Sequence, residues 1–320
     1  MEFHPLPIFA LFLSLAAVAS HAALSPEGYW KSVLPNTPMP TAVKDLLHPD
    51  DFRSSKATNV GVGKGGVVVG TGSKGKPVYV GVTPGPAPFL YKYAATQDQL
   101  HDNPTVALFF LEKDMKPGRK MALHFVKSTP TGATFLPRQV AEKIPFSSDK
   151  LPEILNHFSV KPDSAEAEAM KKTITECEEP GIRGEEKYCA TSLESMVDFS
   201  TSKLGKNVKA ISTEVEKEET PLQKYSIVSV KKMGSDKAVV CHKQSYAYSV
   251  FYCHKTSTTR AYMVSMAGAD RTRVKATAIC HTDTSAWNPK HLAFQVLKVE
   301  RGTVPICHFL PQDHVVWVSN

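Results

Sequence analysis

The sequence predicts an α+β fold, with helices first and then an antiparallel β-sheet core stapled by disulfides. Three observations lead there. Helix-forming stretches precede Thr220-Pro221. After it come short segments of strand length, punctuated by Gly, Asn, Asp or Pro. Six cysteines, an even number, lie in the 320 residues, and four of them are each followed directly by histidine.

The chain opens on a short apolar run over residues 6–18, followed by Ser20-His21-Ala22. Small residues at those positions read as the cleavage site of a secretory leader over residues 1–22, although no Lys or Arg precedes the run. The run is too short for a membrane anchor, which needs about 20 residues. The mature protein is therefore expected outside the cell, with no membrane attachment. An oxidising compartment favours disulfides over thiolate metal sites for Cys177, Cys189, Cys241, Cys253, Cys280 and Cys307.

Residues 23–88 read as a flexible arm and linker. Prolines 26, 35, 38, 40 and 49 interrupt residues 23–60, leaving one short helix over 41–47 before His48-Pro49. The apolar Tyr29, Trp30, Leu34, Val43, Leu46 and Leu47 are expected on a loosely attached arm. The Gly/Val/Pro-rich stretch 60–88 reads as a flexible linker with some extended character.

The globular domain is placed at 89–320. Residues 106–111 and 121–126 have strand character, with a turn at Met115-Lys116-Pro117-Gly118. Residues 148–158 and 163–176 read as helices, Pro152 falling early enough to be tolerated. Thr191-Ser-Leu-Glu194 is a capping-box signature, and Gly205 is the expected stop of the helix that follows. Beyond Thr220-Pro221, strands are expected at 225–230, 239–241, 246–253, 262–266, 273–281, 294–299 and 315–318.

The dipeptides are Cys241-His242, Cys253-His254, Cys280-His281 and Cys307-His308. Ten residues separate the first two, and twenty-five separate each later pair. On a strand, consecutive side chains point to opposite faces. The four cysteines then share one kind of face, where they would cross-link strands distant in sequence, and the four histidines share the other. Histidines converging from adjacent strands suit a metal. With the thiols tied up in disulfides, copper(II) is the expected ion at His242, His254, His281 and His308. A Cys/His zinc site would need much shorter ligand spacings and free thiolates. His124, His157, His291 and His314, taken singly, are expected to be structural. Cys177 and Cys189 flank two turns and read as a local staple. Tyr246, Tyr248, Tyr252, Trp287 and Trp317 flank the dipeptides and are expected in the core.

The spacing CH-x10-CH-x25-CH-x25-CH resembles the hallmark of the plant BURP-domain proteins. Ala107-Leu108-Phe109-Phe110-Leu111-Glu112, the Cys177 and Cys189 pair, and residues 304–318 (VPICHFLPQDHVVWV) agree with it over about residues 105–318. The stretches 75–82 (GKPVYVGV) and 88–102 resemble the dehydration-responsive branch. That resemblance implies a secreted protein of the cell wall or apoplast acting in drought and salt stress, with cell-wall polysaccharide or a wall protein as partner. For some members it implies instead a copper-dependent peptide cyclase, cross-linking a Tyr or Trp side chain of a peptide substrate. A third implied role, non-catalytic subunit of a wall hydrolase, goes with long aromatic-Gly repeats that this chain lacks. Candidate core-peptide residues Tyr79 and Trp30 each occur in an unrepeated context, and no hydrolytic constellation of residues stands out, so no catalytic residue is assigned. The 38 Lys+Arg exceed the 31 Asp+Glu by 7, but the surplus is scattered. That pattern argues against nucleic acid, which needs a clustered basic face. It does suit acidic polysaccharide.

Overall fold

Ser25 starts the first helix, α1 (Pro26–Val33): its hydroxyl accepts from Gly28 N at 3.1 Å, and Pro26 sits in the first turn, where no N–H is required. The computed structural model describes residues 24–47, 58–63, 66–71, 80–81, 109–125, 133–217, 221–289 and 291–320. The expected leader lies outside them, as do residues 82–108. Helix α2 (Thr41–Leu47) has the bounds read from the sequence.

These two helices correct the expectation of a loose arm for residues 24–47. Trp30, Leu34, Val43 and Leu46 are buried in one core with Leu193, Met196, Val197 and Trp317. The Trp30 and Trp317 rings lie 5.1 Å apart. The Trp30 indole donates to Thr37 O at 2.9 Å, and the Thr37 hydroxyl donates to Val208 O at 2.7 Å. Proline frequency signals a broken chain; the surface it docks on comes from far along the sequence, roughly 160 positions from Trp30 to Leu193 and about 290 to Trp317, which local sequence does not reveal. Trp30→Ala is expected to cost about 3–5 kcal/mol in urea unfolding, as for other buried aromatics. A loss below about 1 kcal/mol would mean that the helices contribute little packing.

The Gly/Val stretch expected as a linker carries three short antiparallel strands, β1 (Thr58–Gly63), β2 (Gly66–Thr71) and β3 (Val80–Gly81), in the order β1-β2-β3. Next come β4 (Phe110–Leu111) and β5 (Lys120–Leu123), with Gly118 at φ +84° between them. Three helices follow: α3 (Arg138–Ala141), α4 (Leu151–His157) with Pro152 in its first turn, and α5 (Ala165–Glu178), capped by Ser164. Strand β6 (Glu185–Ala190) is an element the sequence reading missed. Helix α6 (Leu193–Leu204) is capped one residue later than its signature suggests. Ser192 and Ser195 form the reciprocal box, and Gly205 at φ +81° ends the helix as expected.

Strands then dominate: β7 (Val208–Ile211), β8 (Glu214–Val215), β9 (Gln223–Met233), β10 (Ala238–Gln244), β11 (Val250–Thr256), β12 (Thr259–Gly268) and β13 (Arg273–His281). Residues 294–299, expected as a strand, belong instead mainly to helix α7 (Leu292–Leu297). Its residues Ala293, Phe294 and Leu297 pack together on Trp287 and Ile306, a helical spacing hidden in a short apolar run. Strands β14 (Ile306–Phe309) and β15 (Val315–Ser319) close the chain.

The strands from β4 onward form two sheets. The first has the order β6-β11-β10-β15-β7; the second runs β4-β14-β13-β12-β9-β5, with β8 on β13. Their facing sides meet through Ala238, Val240, Val316 and Val318 from the first and Ala261 and Ile279 from the second. Helices α1, α2 and α6 cover the outer face of the first sheet, with Cys241 and Cys253 in that layer. On the second sheet the other face holds Cys280 and Cys307 among Phe110, Met121, Tyr225 and Phe309. Gly234, at φ +60°, lets the turn after β9 press on the last strand; a Cβ there would come within 2.5 Å of Ser319 O. Among the described residues no helix is long and apolar enough to cross a membrane.

Candidate metal centre

Antiparallel register sets the geometry. Cys241 stands opposite Cys253 in the β10–β11 pair, and Cys280 opposite Cys307 in the β13–β14 pair. Each pair is a disulfide, with Cα separations of 3.9 and 4.0 Å, and Cys177–Cys189 is the third; no cysteine is free. The bridges thus join immediate neighbours across a ladder. The expectation that they would tie strands distant in sequence is corrected for these pairs, because the register brings successive dipeptides face to face.

One residue on, the pleat sends each histidine to the opposite side, which is the space between the sheets. The one bulge in the facing strands falls at Ser265/Met266 of β12, clear of all four dipeptides, so the alternation holds where it matters. The convergence does not come from four adjacent strands. Two histidines arrive from each sheet, and the packing of the sheets brings the pairs together.

The contacts form a chain. His242 Nε2 lies 3.2 Å from His254 Nε2, and the His254 and His281 rings are 6.5 Å apart, linking the sheets. His281 and His308 stack at 5.6 Å with 14° between their planes. His308 Nδ1 makes a long contact of 3.4 Å to Phe309 O, which a carbonyl can only accept. All four residues are 2–4% exposed.

Three further residues belong to this region. His314 Nδ1 lies 3.0 Å from His242 Nδ1, so a residue expected to be structural is in contact with the cluster. The pairing of Cys241 with Val315 explains it: one step along, His314 comes beside His242. Glu185, from the unforeseen β6, places Oε1 at 2.8 Å from His254 Nδ1, with its side chain fully enclosed. His291 caps α7 by accepting from Ala293 N at 3.1 Å, and Trp287 packs between it (4.6 Å) and His281 (5.0 Å). His124 and His157 lie on the surface away from the cluster. Tyr252 packs against His254 at 5.6 Å, while Tyr246, Tyr248 and Trp317 belong to the cores, as the sequence suggests.

Burial holds the imidazoles of His242, His281, His291, His308 and His314 neutral. Desolvation first, and the neighbouring imidazoles second, push His242 and His281 well below the ordinary histidine value. Burial likewise lowers His308 to about 3 and His314 and His291 to about 4. Neutral imidazole is the form that ligates a metal, and the softness of the donor suits copper, zinc or nickel. Two nitrogens bound to one ion at about 2.0 Å stand about 3.3 Å apart in a tetrahedral arrangement. The His242–His254 separation of 3.2 Å matches that. Among the described residues no three His, Cys, Asp or Glu side chains are drawn up as a complete metal-holding group. A third ligand would require rotation of the His281, His308 or His314 ring.

A family model described as the BURP domain matches residues 108–319. The chain is 48% identical to BURP domain protein RD22 of Arabidopsis thaliana, covering 98% of this chain and 99% of that one. It is 60% identical to BURP domain-containing protein 3 of Oryza sativa subsp. japonica, over 97% of each. Protein RAFTIN 1B of Triticum aestivum is 36% identical, with 94% of this chain and 92% of that one covered. The match takes in all four Cys-His dipeptides and both sheets that hold them, and this chain belongs to the plant BURP domain family.

Proposed function

We propose that the protein is secreted to the plant cell wall or apoplast, acts there in the response to drought and salt, and holds copper between its two sheets. The observation that carries the metal reading is the meeting of His242, His254, His281 and His308 in a buried layer, each anchored by the disulfide beside it. Three disulfides and no free thiol fit an oxidising compartment. The stress role rests on the likeness to the dehydration-responsive branch, and the full-length similarity to BURP domain protein RD22 supports it. The scattered basic surplus supports adhesion to acidic wall polysaccharide.

When bound, copper supplies a Lewis acid and a one-electron couple. The chain's own part is to present neutral nitrogens, exclude water and hold the ligands still. Cross-strand bridges next to each histidine limit backbone movement, so little ordering remains to be done at binding. Peptide cyclisation would also need a substrate side chain to reach the site. The four imidazoles are 2–4% exposed, which favours a holding role over open catalysis.

Copper titration of wild type beside the four single His→Ala variants tests the reading. Wild type is expected to bind stoichiometrically, and each variant to bind about tenfold or more weakly. If all four bind as wild type does, the imidazoles are only a packed layer. Intact mass recorded with and without copper is expected to stay unchanged; a loss of two hydrogens would restore the cyclase reading.

A further inference from the structure

Glu185 is an acidic side chain placed against the imidazole of His254, and its surroundings are built to hold it there. Its Oε1 is 2.8 Å from His254 Nδ1, and its Oε2 accepts from Ile182 N at 3.1 Å. A hydrogen bond with the enclosed Tyr252 is one cause of that phenol's raised pKa, after burial and the negative charge of Glu185. The turn carrying Ile182 lies inside the loop closed by Cys177–Cys189. Gly181 lies against the carboxylate: a Cβ there would be 3.2 Å from Glu185 Oε2. Strand β6, in turn, is fixed on β11, with Glu185 opposite Thr256 and Lys187 opposite His254.

We propose that Glu185 is the positioning residue of the imidazole cluster, holding His254 with its proton on Nδ1 and its Nε2 lone pair turned to His242. The consequence runs along the chain of contacts. A carboxylate oxygen accepts, so His254 Nδ1 is the donor and Nε2 carries the lone pair. His242 Nε2 faces that lone pair at 3.2 Å, the separation at which two nitrogens share one ion. At its other nitrogen His242 meets His314 Nδ1 at 3.0 Å, and His314 Nε2 lies 4.0 Å from Asp313 Oδ1. Glu185 thereby sets the tautomer of His254. The same carboxylate places a negative charge beside His254, offsetting the charge of a bound cation. Carboxylates that fix ligating histidines in this way change metal affinity when removed. The Cys177–Cys189 bridge, expected to be a plain staple, gains a second role as the clasp of the loop that presents Glu185.

The tautomer half of this inference stands without metal; the affinity half rests on the copper reading above. Two variants are needed, Glu185→Gln, which keeps the shape and an acceptor, and Glu185→Ala, which removes both. The first readout is the 15N shifts of the ring nitrogens in metal-free protein. Wild type is expected to show Nδ1–H and a bare Nε2 at His254. In Glu185→Ala the His254 pattern is expected to reverse or average; Glu185→Gln, whose amide oxygen still accepts, is expected to keep the wild-type pattern. The second readout is copper(II) affinity, expected to fall about 10- to 100-fold in Glu185→Ala and less in Glu185→Gln. Wild-type tautomers in Glu185→Ala together with unchanged affinity would overturn the inference. If wild type binds no copper but the tautomers respond, the positioning role stands and the metal reading falls. Should Glu185→Ala fail to fold, a wild-type pattern other than the one stated would still overturn the assignment, and an unchanged copper affinity in Glu185→Gln would overturn the charge-offset role.

Discussion

Between pH 6.5 and pH 4.5 the protein is expected to lose stability steeply, the loss beginning well above the range in which ordinary carboxylates take up protons. The cause is the buried neutral imidazole layer. His242 and His281 are held well below the ordinary value by burial; His308 is lowered to about 3, and His314 and His291 to about 4. In the unfolded chain the same groups take up protons near the model value of about 6.5. Below that pH the unfolded state binds more protons than the native state, so stability falls as pH falls. Each histidine that stays neutral when folded contributes a slope of up to about 1.4 kcal/mol per pH unit in this window. The loss is complete only when pH passes below the folded values, about 3 for His308 and about 4 for His291 and His314. Glu186, lowered to about 2 by Lys203 and Lys255, adds acid sensitivity of the same sign, beginning only as pH falls through the usual carboxylate range. Urea unfolding across pH 7.5 to 4.5 distinguishes the two, since histidine effects begin two units higher. A flat profile down to pH 5 would show that the imidazoles titrate freely and are not enclosed as described. Copper should shift the whole curve to lower pH, because the ion competes with protons for the same nitrogens.

Much of this architecture is legible in the sequence because it depends on local periodicity. The strand 273–281 and the helix 41–47 have the bounds their residues suggest, since turn residues or proline mark their ends. The alternation across each Cys-His dipeptide sends thiols to one face and imidazoles to the other, which needs only the pleat of a strand. What local periodicity does not carry is pairing. Strand β6 lies between two helices in sequence yet forms the edge of a sheet next to β11, more than sixty residues later, about the span from Ala190 to Phe251. The two-sheet division is equally non-local, and with it the reason that the imidazoles meet.

The residues missed at the site follow the same rule. Glu185 stands in a run, Glu185-Glu186-Lys187, that reads as solvated surface; only the β6–β11 register turns it to His254. His314 has no cysteine before it and so falls outside the repeat. Had the Cys241–Val315 pairing been known, its place beside His242 would have followed by counting one step along each strand. Residues 294–299 read as a strand because a short, largely apolar stretch fits both periods, and His291, the cap of α7, belongs to no repeat.

Removing the cross-strand bridges is expected to be the most damaging change to the fold, and it separates the two halves of the dipeptide. Cys241–Cys253 closes a sequence separation of 12 residues and Cys280–Cys307 one of 27. In the loop-entropy account such bridges stabilise by about 3 and about 3.5 kcal/mol, so Cys280→Ala/Cys307→Ala should be slightly the worse of the two double variants. Both lie in buried layers, where the lost sulfur atoms also leave unfilled volume, which adds to the destabilisation. Replacing His281 or His308 with Gln leaves those bridges in place and retains a polar group that can hydrogen-bond. Such variants are expected to unfold at nearly the wild-type urea concentration while losing copper. The double cysteine variants are expected to show the reverse order of effects: early unfolding, with copper lost only as ordered strands are lost. Urea midpoints and copper stoichiometry, measured on the same four proteins, decide the matter. Cysteine variants within about 1 kcal/mol of wild type would mean that the sheets alone hold the register. Glutamine variants that unfold as readily as the cysteine variants would assign the histidines to the fold rather than to a metal.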